Sequence, residues 1–418
     1  MTRRAVIVGG GAAGLLCAGF SARHGLDVTV VEARERPARK ILVTGKGRCN
    51  LTNNCTPEEF LQNVRSNPKF LYSAIHAFPP RETMAFFESL GVSLKTERGR
   101  RVFPVSDRAM DIADALTGFC RREGVRILYA KAADLLLQGG SASGVRLEDG
   151  RELAADMVLL STGGKSYPQT GSDGSGYGIA ARAGHTVTSL RPSLVPVLCA
   201  DGFCGRLAGL TLKNVSLTLY NKKGRALFSE LGEMLFTHQG VSGPLVLSAS
   251  TYMDDDPREY RLVLDLKPGL SPEQLDARLV RDLSDNPNKE LETLAALLLP
   301  RALAPIVLGL AGIPPRLRAN QLTRPQRRTL AQVLKAFPLE PLALGSIEEA
   351  VVTAGGVSVR EVRPADMASR LVPGLFFAGE ILDIDCFTGG YNLQAAFSTG
   401  FCAARGMAEY AAGKPQQV

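Results

Sequence analysis

Gly9-Gly10-Gly11-Ala12-Ala13-Gly14 is the run whose residue types and spacing speak most directly of chemistry. In a G-x-G-x-x-G pattern the first glycine permits a tight turn, the second lets backbone approach a pyrophosphate, and the third lets a helix sit close on a strand. Gly9, Gly11 and Gly14 take those places, with Ala12 and Ala13 between the last two. Glu32, followed by Ala33, stands close to the expected distance of about twenty residues, where a carboxylate accepts hydrogen bonds from ribose hydroxyls. A diphosphate would rest at the helix N-terminus, where unpaired N–H groups and the positive dipole end favour an anion. A plain glycine turn in a βαβ unit could carry the glycines alone. The full order of strand, glycines, helix, strand and acid points to a dinucleotide.

Other chemistry-bearing residues follow. The stretch ARERPARKILVTGKGRCNLTNN holds Arg34, Arg36, Arg39, Lys40, Lys46 and Arg48 against the single acid Glu35, and Asn50, Thr52 and Asn53 add turn formers. So basic a loop suits phosphate neutralisation, or is simply a solvated face. Ser161-Thr162-Gly163-Gly164 closes an apolar run from Met157 to Leu160, at the strand end where open α/β sheets bind ligands. Gly379-Glu380 ends a similar run, and Gly389-Gly390 precedes a small-residue helix through Ala404. That second helix N-terminus suits the electron-rich end of a flavin. His238, in FTHQGVSGP, is a candidate general acid or base, or else holds a turn; Cys49 is a candidate redox thiol, or else a small core residue.

The elements that must position these residues can be read from periodicity. Strands are expected at residues 5–8 and 27–31, helices within 57–91, and an amphipathic helix capped by Ser106. Residues 125–150 alternate as strands about Gly139-Gly140. KSYPQTGSDGSGYGIAARAGH is rich in glycine, yet no strand immediately precedes it and no acid-ended strand follows, so a separate nicotinamide fold is not expected. Its glycines would let a helix N-terminus approach a ligand already bound. From Arg191 to about Leu344 the character changes to antiparallel alternation (VSLTLY, EYRLVLDL) and then helices, one opened by the capping box Ser271-Pro272-Glu273-Gln274. PPRLRANQLTRPQRR carries five arginines and no acid, but lacks aromatics for base stacking. The chain then returns to its opening style.

A length of 418 residues implies two domains or more, and 45% hydrophobic with 22% charged residues implies a globular protein. The net charge of +8 invites polyanions, though it could equally offset a bound dinucleotide; nucleic acid is not the expected partner. Eight cysteines form no C-x-x-C pair and no zinc-like spacing, and there are four histidines, so no metal is expected. Reduced thiols suit a cytoplasmic location. The N-terminus superficially resembles a signal peptide, but the glycine spacing explains the same residues better. Pro300, Pro305 and Pro315 break the most apolar stretch, so no membrane span is expected.

Six motifs in order, KILVTGKGRCNLTN, GRRVFPVSD, STGGKSYPQTGSDGSGY, GEMLFTHQGVSGP, TAGGVSV and GEILDIDCFTGGYNLQAA, carry a resemblance. The chain resembles a bacterial family of two-dinucleotide-fold flavoproteins that includes aminoacetone oxidase-like enzymes and the flavoprotein associated with bile-acid 7-dehydroxylation. The resemblance implies FAD, with Gly9 to Gly14 and Glu32 holding its ADP half. It implies that Lys40, Arg48, Asn50 and Asn53 line the cofactor and that backbone near Ala132 and Ala133 meets adenine. Gly379, Glu380, Asp383, Asn392 and Leu393 would surround the flavin's far end. The implied fold is α/β, a discontinuous Rossmann-like FAD domain (1–191 and 345–418) interrupted by an inserted domain (192–344) with antiparallel β and helical parts. Cys386 and Phe387 fall in a loop that varies among relatives and contacts substrate, so substrate identity does not carry over. The functions in view are an FAD-dependent oxidoreductase of a small organic substrate using NAD(P)H or oxygen, a flavin-dependent tRNA modifier using the arginines at 316–328, and a non-catalytic flavin carrier. NAD(P)H would then be a transient co-substrate in the cleft.

Overall fold

The computed structural model describes residues 2–254 and 256–413. The chain divides into two compact units, one of residues 1–193 and 347–418 and one of residues 194–346. The boundaries fall two residues beyond those expected at 191 and 344.

The first unit is built on a five-stranded parallel sheet in the order Leu375–Phe377, Met157–Leu160, Arg4–Val8, Asp27–Glu32, Arg126–Tyr129. Numbered by their place in the chain, the strands lie 5-4-1-2-3, the dinucleotide-binding order of a doubly wound fold. Parallel sheets are covered on both faces, so their strands read as continuous apolar runs. Accordingly Met157, Val158, Leu159 and Leu160 are all fully buried. Chain order reverses between Arg4–Val8 and Met157–Leu160, which opens a crevice at their carboxyl ends.

Helix Ala12–Arg23 covers one face, and small residues set its spacing. A Cβ on Gly19 would stand 2.1 Å from the Phe119 ring, and one on Gly400 would stand 2.5 Å from the Ala13 carbonyl oxygen. Through Gly400 the C-terminal helix Tyr391–Ala411 lies directly on the first turn of the N-terminal one. That helix runs to Ala411 rather than stopping at Ala404, since its apolar face continues to Met407, fully buried. The helix expected to be capped by Ser106 begins after Arg108 instead. Ser106 Oγ is occupied with Asp111 and with the Arg108 N–H, which makes a turn before the helix rather than a cap on it. Strands Arg191–Ser193 and Val352–Ala354, on either side of the insertion, pair with each other antiparallel.

His185, buried beyond helix Ser175–Arg182, places Nε2 2.9 Å from Ser369 Oγ and Nδ1 3.3 Å from Glu361. Burial lowers its pKa, and the Glu361 charge opposes this only in part. A lowered folded-state value means the unfolded chain takes up the proton more readily. Stability is therefore fully present above the ordinary imidazole range, about 6.5, and is lost as pH falls below it toward the folded value. Thermal melts across that window should show the decline in the natural chain and a flatter profile in His185→Gln. An equal slope in both would refute the assignment.

The second unit is a seven-stranded antiparallel sheet, in the order Phe337–Leu339, Arg261–Asp265, Thr211–Tyr220, Ala226–Phe236, Gly240–Ser242, Val197–Cys199, Pro341–Leu344. Helices Pro272–Ser284, Leu291–Leu298, Ala304–Leu310 and Arg324–Lys335 share its apolar core. The Ser271–Gln274 capping box is formed. Segment LGEMLF ends the strand Ala226–Phe236 of this sheet. Among the described residues, no helix is long and apolar enough to cross a membrane.

Candidate functional site

A cavity of about 290 Å³ opens in the first unit at the point where the strand order reverses. Its wall includes Gly9, Gly11, Ala12 and Ala13 from the first strand end, and Thr162 and Gly163 from the fourth. Gly379, Glu380, Asn392 and Leu393 come from the C-terminal segment. Two helix N-termini meet there. Neither Ala12–Arg23 nor Tyr391–Ala411 has a side-chain cap on its first-turn N–H groups or an acid in its first turn, so those N–H groups are left to an anion in the cavity.

The three motif glycines have different reasons. Gly9 adopts φ of 102°, and a Cβ there would stand 2.5 Å from the Ser161 carbonyl oxygen. A Cβ on Gly14 would stand 2.0 Å from the Gly9 oxygen; Gly14 supports the wall without lining it. Gly11 has an ordinary φ of −83°, and nothing in the protein lies within 4 Å of the Cβ it lacks. Protein packing explains Gly9 and Gly14. Packing does not require Gly11, whereas a ligand brought close to the backbone would, so the residues present fit a bound dinucleotide.

At one end of the cavity, Glu32 Oε2 accepts from the Gly10 N–H and Oε1 from the Arg34 N–H, each at 2.8 Å. Those bonds orient the carboxylate and leave it lone pairs for hydroxyl donors. Burial raises its pKa, and the two backbone N–H groups oppose the rise. Ala33, Lys131 and Ala132 line the same end, whereas Ala133 turns away and gives its carbonyl to Arg182 at 2.7 Å. Further along stand Lys40 and Glu380. Lys40 Nζ donates to Glu380 Oε2 at 2.7 Å and to Ser166 Oγ at 2.7 Å, while the Thr353 N–H donates to Glu380 Oε1 at 2.9 Å. Thr162 Oγ1 is buried there with no partner among the described residues.

Several residues expected at the cofactor have other work. Asn53 Nδ2 donates to the carbonyls of Gly99 and Gly389. The Asn50 amide, oriented to satisfy both neighbours, reaches the Thr52 carbonyl and the Gly390 N–H. Neither lines the cavity; both fix the Gly389-Gly390 turn, and through it the tip of the C-terminal helix. Gly390 itself is the N-cap, with φ of 97°. Arg48 stacks on the Phe103 ring and pairs with Glu97 and Asp107 outside the cavity, so its charge is already matched. Asp383 lies beyond the wall, where burial raises its pKa. Asn392 both lines the cavity and pins the next loop, exchanging hydrogen bonds with the Cys386 backbone at 2.9 Å in each direction.

Neither catalytic candidate lines the cavity. Cys49 is fully buried and burial pushes its thiol up to about 12, an environment that suits a small core residue better than a redox thiol. His238 is exposed in a turn of the second unit. Sequence reasoning gave no site role to Ser166, Thr353, Ser172 or Asp173. The last two sit in the glycine-rich segment after Lys165, whose spacing was the available signal.

The chain matches the HI0933-like protein Rossmann domain over residues 3–406. It is 33% identical over 408 residues to 3-dehydro-bile acid delta(4,6)-reductase of Clostridium scindens, covering 96% of this chain and 98% of that one. It is 30% identical over 403 residues to the ribosomal RNA dihydrouridine synthase of Escherichia coli, covering 96% and 97%. In fold it is similar to 3-ketosteroid-delta4-(5alpha)-dehydrogenase of Rhodococcus jostii RHA1, with a TM-score of 0.52 at 14% identity and 97% of each chain covered. An α/β Rossmann domain interrupted by an antiparallel insert, with six ordered motifs and a match over nearly its whole length, the chain belongs to the HI0933-like family, the flavoprotein family its motifs resemble.

Proposed function

We propose that the protein is an FAD-dependent oxidoreductase that reduces a carbon–carbon double bond conjugated to a carbonyl in a small organic substrate. The observation that carries the cofactor is the pair of helix tips without side-chain caps that face the cavity, one of them starting at Gly11, with Glu32 set for hydroxyls at one end. Support for the substrate class comes from the names of the two relatives. A delta(4,6)-reductase of a 3-dehydro compound and a dihydrouridine synthase each saturate an alkene in conjugation with a carbonyl. When bound, the flavin supplies hydride transfer.

The chain's own residues then orient and neutralise. Main-chain N–H groups of the two helix tips favour negative charge, Glu32 would accept from ribose hydroxyls, and Glu380 holds Lys40 at the cavity wall. Electrons come from a diffusible donor such as NAD(P)H, bound transiently in the cleft.

A second reading has its own support. Arg316, Arg318, Arg324 and Arg328 are exposed in the second unit, while Arg327 is tied to Asp276 at 2.7 Å. An RNA substrate, with the double bond in a uracil, would use such arginines. Against it, the whole unit holds eighteen Lys and Arg to fifteen Asp and Glu, so basic charge is not concentrated there.

Under anaerobic conditions, NADH or NADPH should bleach the flavin's visible band, and added 4-androstene-3,17-dione or another cyclic enone should restore it. Recovery with oxygen alone would sink the enone reading. Recovery with uridine-containing RNA but no free enone would establish the second.

A further inference from the structure

The second unit holds a cluster that the proposed reaction does not use. Cys199 Sγ, Cys204 Sγ and a carboxylate oxygen of Asp201 lie within 4.8 Å of one another. All three are held by backbone bonds. The Cys199 N–H donates to the Gln239 carbonyl at 3.0 Å, the Cys204 N–H to the Asp201 carbonyl at 3.0 Å, and Asp201 Oδ2 accepts from the Glu340 N–H at 2.8 Å. Cys199 ends strand Val197–Cys199 at an irregularity in its pairing, and Cys204 sits in the short helix Phe203–Arg206. That turn from strand to helix brings together two thiols five positions apart, a lone pair that does not by itself announce a metal site in sequence.

We propose that Cys199, Asp201 and Cys204 form a site for a zinc-class divalent cation. Two thiolates select zinc over magnesium or calcium, which take oxygen ligands. Zinc–sulfur bonds of about 2.3 Å place two sulfurs of a tetrahedron roughly 3.8 Å apart, so the cluster reaches ligand geometry by a shift of about an ångström or less. Asp201 makes no ion pair among the described residues, so its charge is available to the metal. Cys204 is 1% exposed while Cys199 and Asp201 are half-buried, which leaves the fourth position to water from the open side. The cation fastens the strand end to the helix and binds as the two thiols lose their protons to solvent.

Cobalt(II) titrated into the reduced, full-length protein tests this. One cobalt per chain should give visible d–d bands to the red of the flavin and a near-ultraviolet thiolate charge-transfer band. One equivalent of zinc should abolish both and raise the melting temperature. Cys199→Ser and Cys204→Ser should each cut the charge-transfer band to half or less, since each removes one of two thiolates, and Asp201→Asn, which keeps both thiols, should bind cobalt at least tenfold more weakly. Absence of the bands in the folded natural chain would overturn the site, as would bands unchanged in Cys199→Ser. So would a Cys199–Cys204 disulfide that persists under reductant while cobalt still fails to bind.

Discussion

Gly11→Ala will fold as the natural chain folds and fail to retain FAD. The substitution meets no protein atom within 4 Å, and φ of −83° suits alanine. Alanine in place of glycine at an N-cap costs on the order of 1 kcal/mol or less. The apoprotein should therefore melt within a few degrees of the natural one. The new methyl occupies the space through which a diphosphate approaches the backbone, so FAD affinity should fall about a hundredfold, roughly 2.7 kcal/mol. Gly14→Val is the contrast, since its Cβ would stand 2.0 Å from the Gly9 oxygen and would force strand and helix apart. Overpacking of this kind costs about 1–3 kcal/mol, so that variant should lose both cofactor and melting temperature. Isothermal titration of FAD and thermal melts of both apoproteins separate the outcomes. If Gly11→Ala binds FAD as the natural chain does, the crevice at the strand reversal is not the cofactor site.

Glu380→Ala should lower turnover about a hundredfold and also lower stability. Its carboxylate takes hydrogen bonds from Lys40, Ser166 and the Thr353 N–H, which joins three distant segments at the cavity wall. Lys40 and Glu380 side chains are 23% and 18% exposed, so their pair is partly shielded from water. Removing one partner of a buried pair costs about 3–5 kcal/mol, and partial exposure reduces this to roughly 1–3. Lys40→Ala should cost less stability, because a carboxylate left behind keeps its bonds to Ser166 and Thr353. The double variant should show strong coupling, its loss well short of the sum of the two single losses. Steady-state kinetics with the enone should place the effect on kcat more than on KM. Additive losses would mean that the two residues act separately.

What could be read from the sequence was what neighbours in the sequence determine. Gly9, Gly11, Gly14 and Glu32 fall within one strand–helix–strand unit, so their spacing alone carries the geometry. The run from Met157 to Leu160 was legible for the same reason, because a fully buried parallel strand has no polar face to disguise it. Roles that depend on distant segments meeting were not legible. Asn50 and Asn53 look like cofactor ligands until Gly389 and Gly390 are seen beside them, and Arg48 looks free until Glu97 and Asp107 surround it. Ser106 has the right type for a cap but is spent on Asp111. Thr353, an ordinary strand residue by pattern, acts at the cavity through its backbone N–H, which no side-chain motif reveals.

The most direct test of the central claim, that the two ends of the chain build one FAD site, is the flavin content of the purified protein. The result expected is a yellow protein with one FAD per chain, released on denaturation. Its apoprotein should bind FMN at least a hundredfold more weakly, because FMN lacks the adenosine that Glu32 and Ala132, both in the cavity wall, would receive under the proposal. A colourless protein that refuses added FAD, or one that takes FMN equally well, would contradict it.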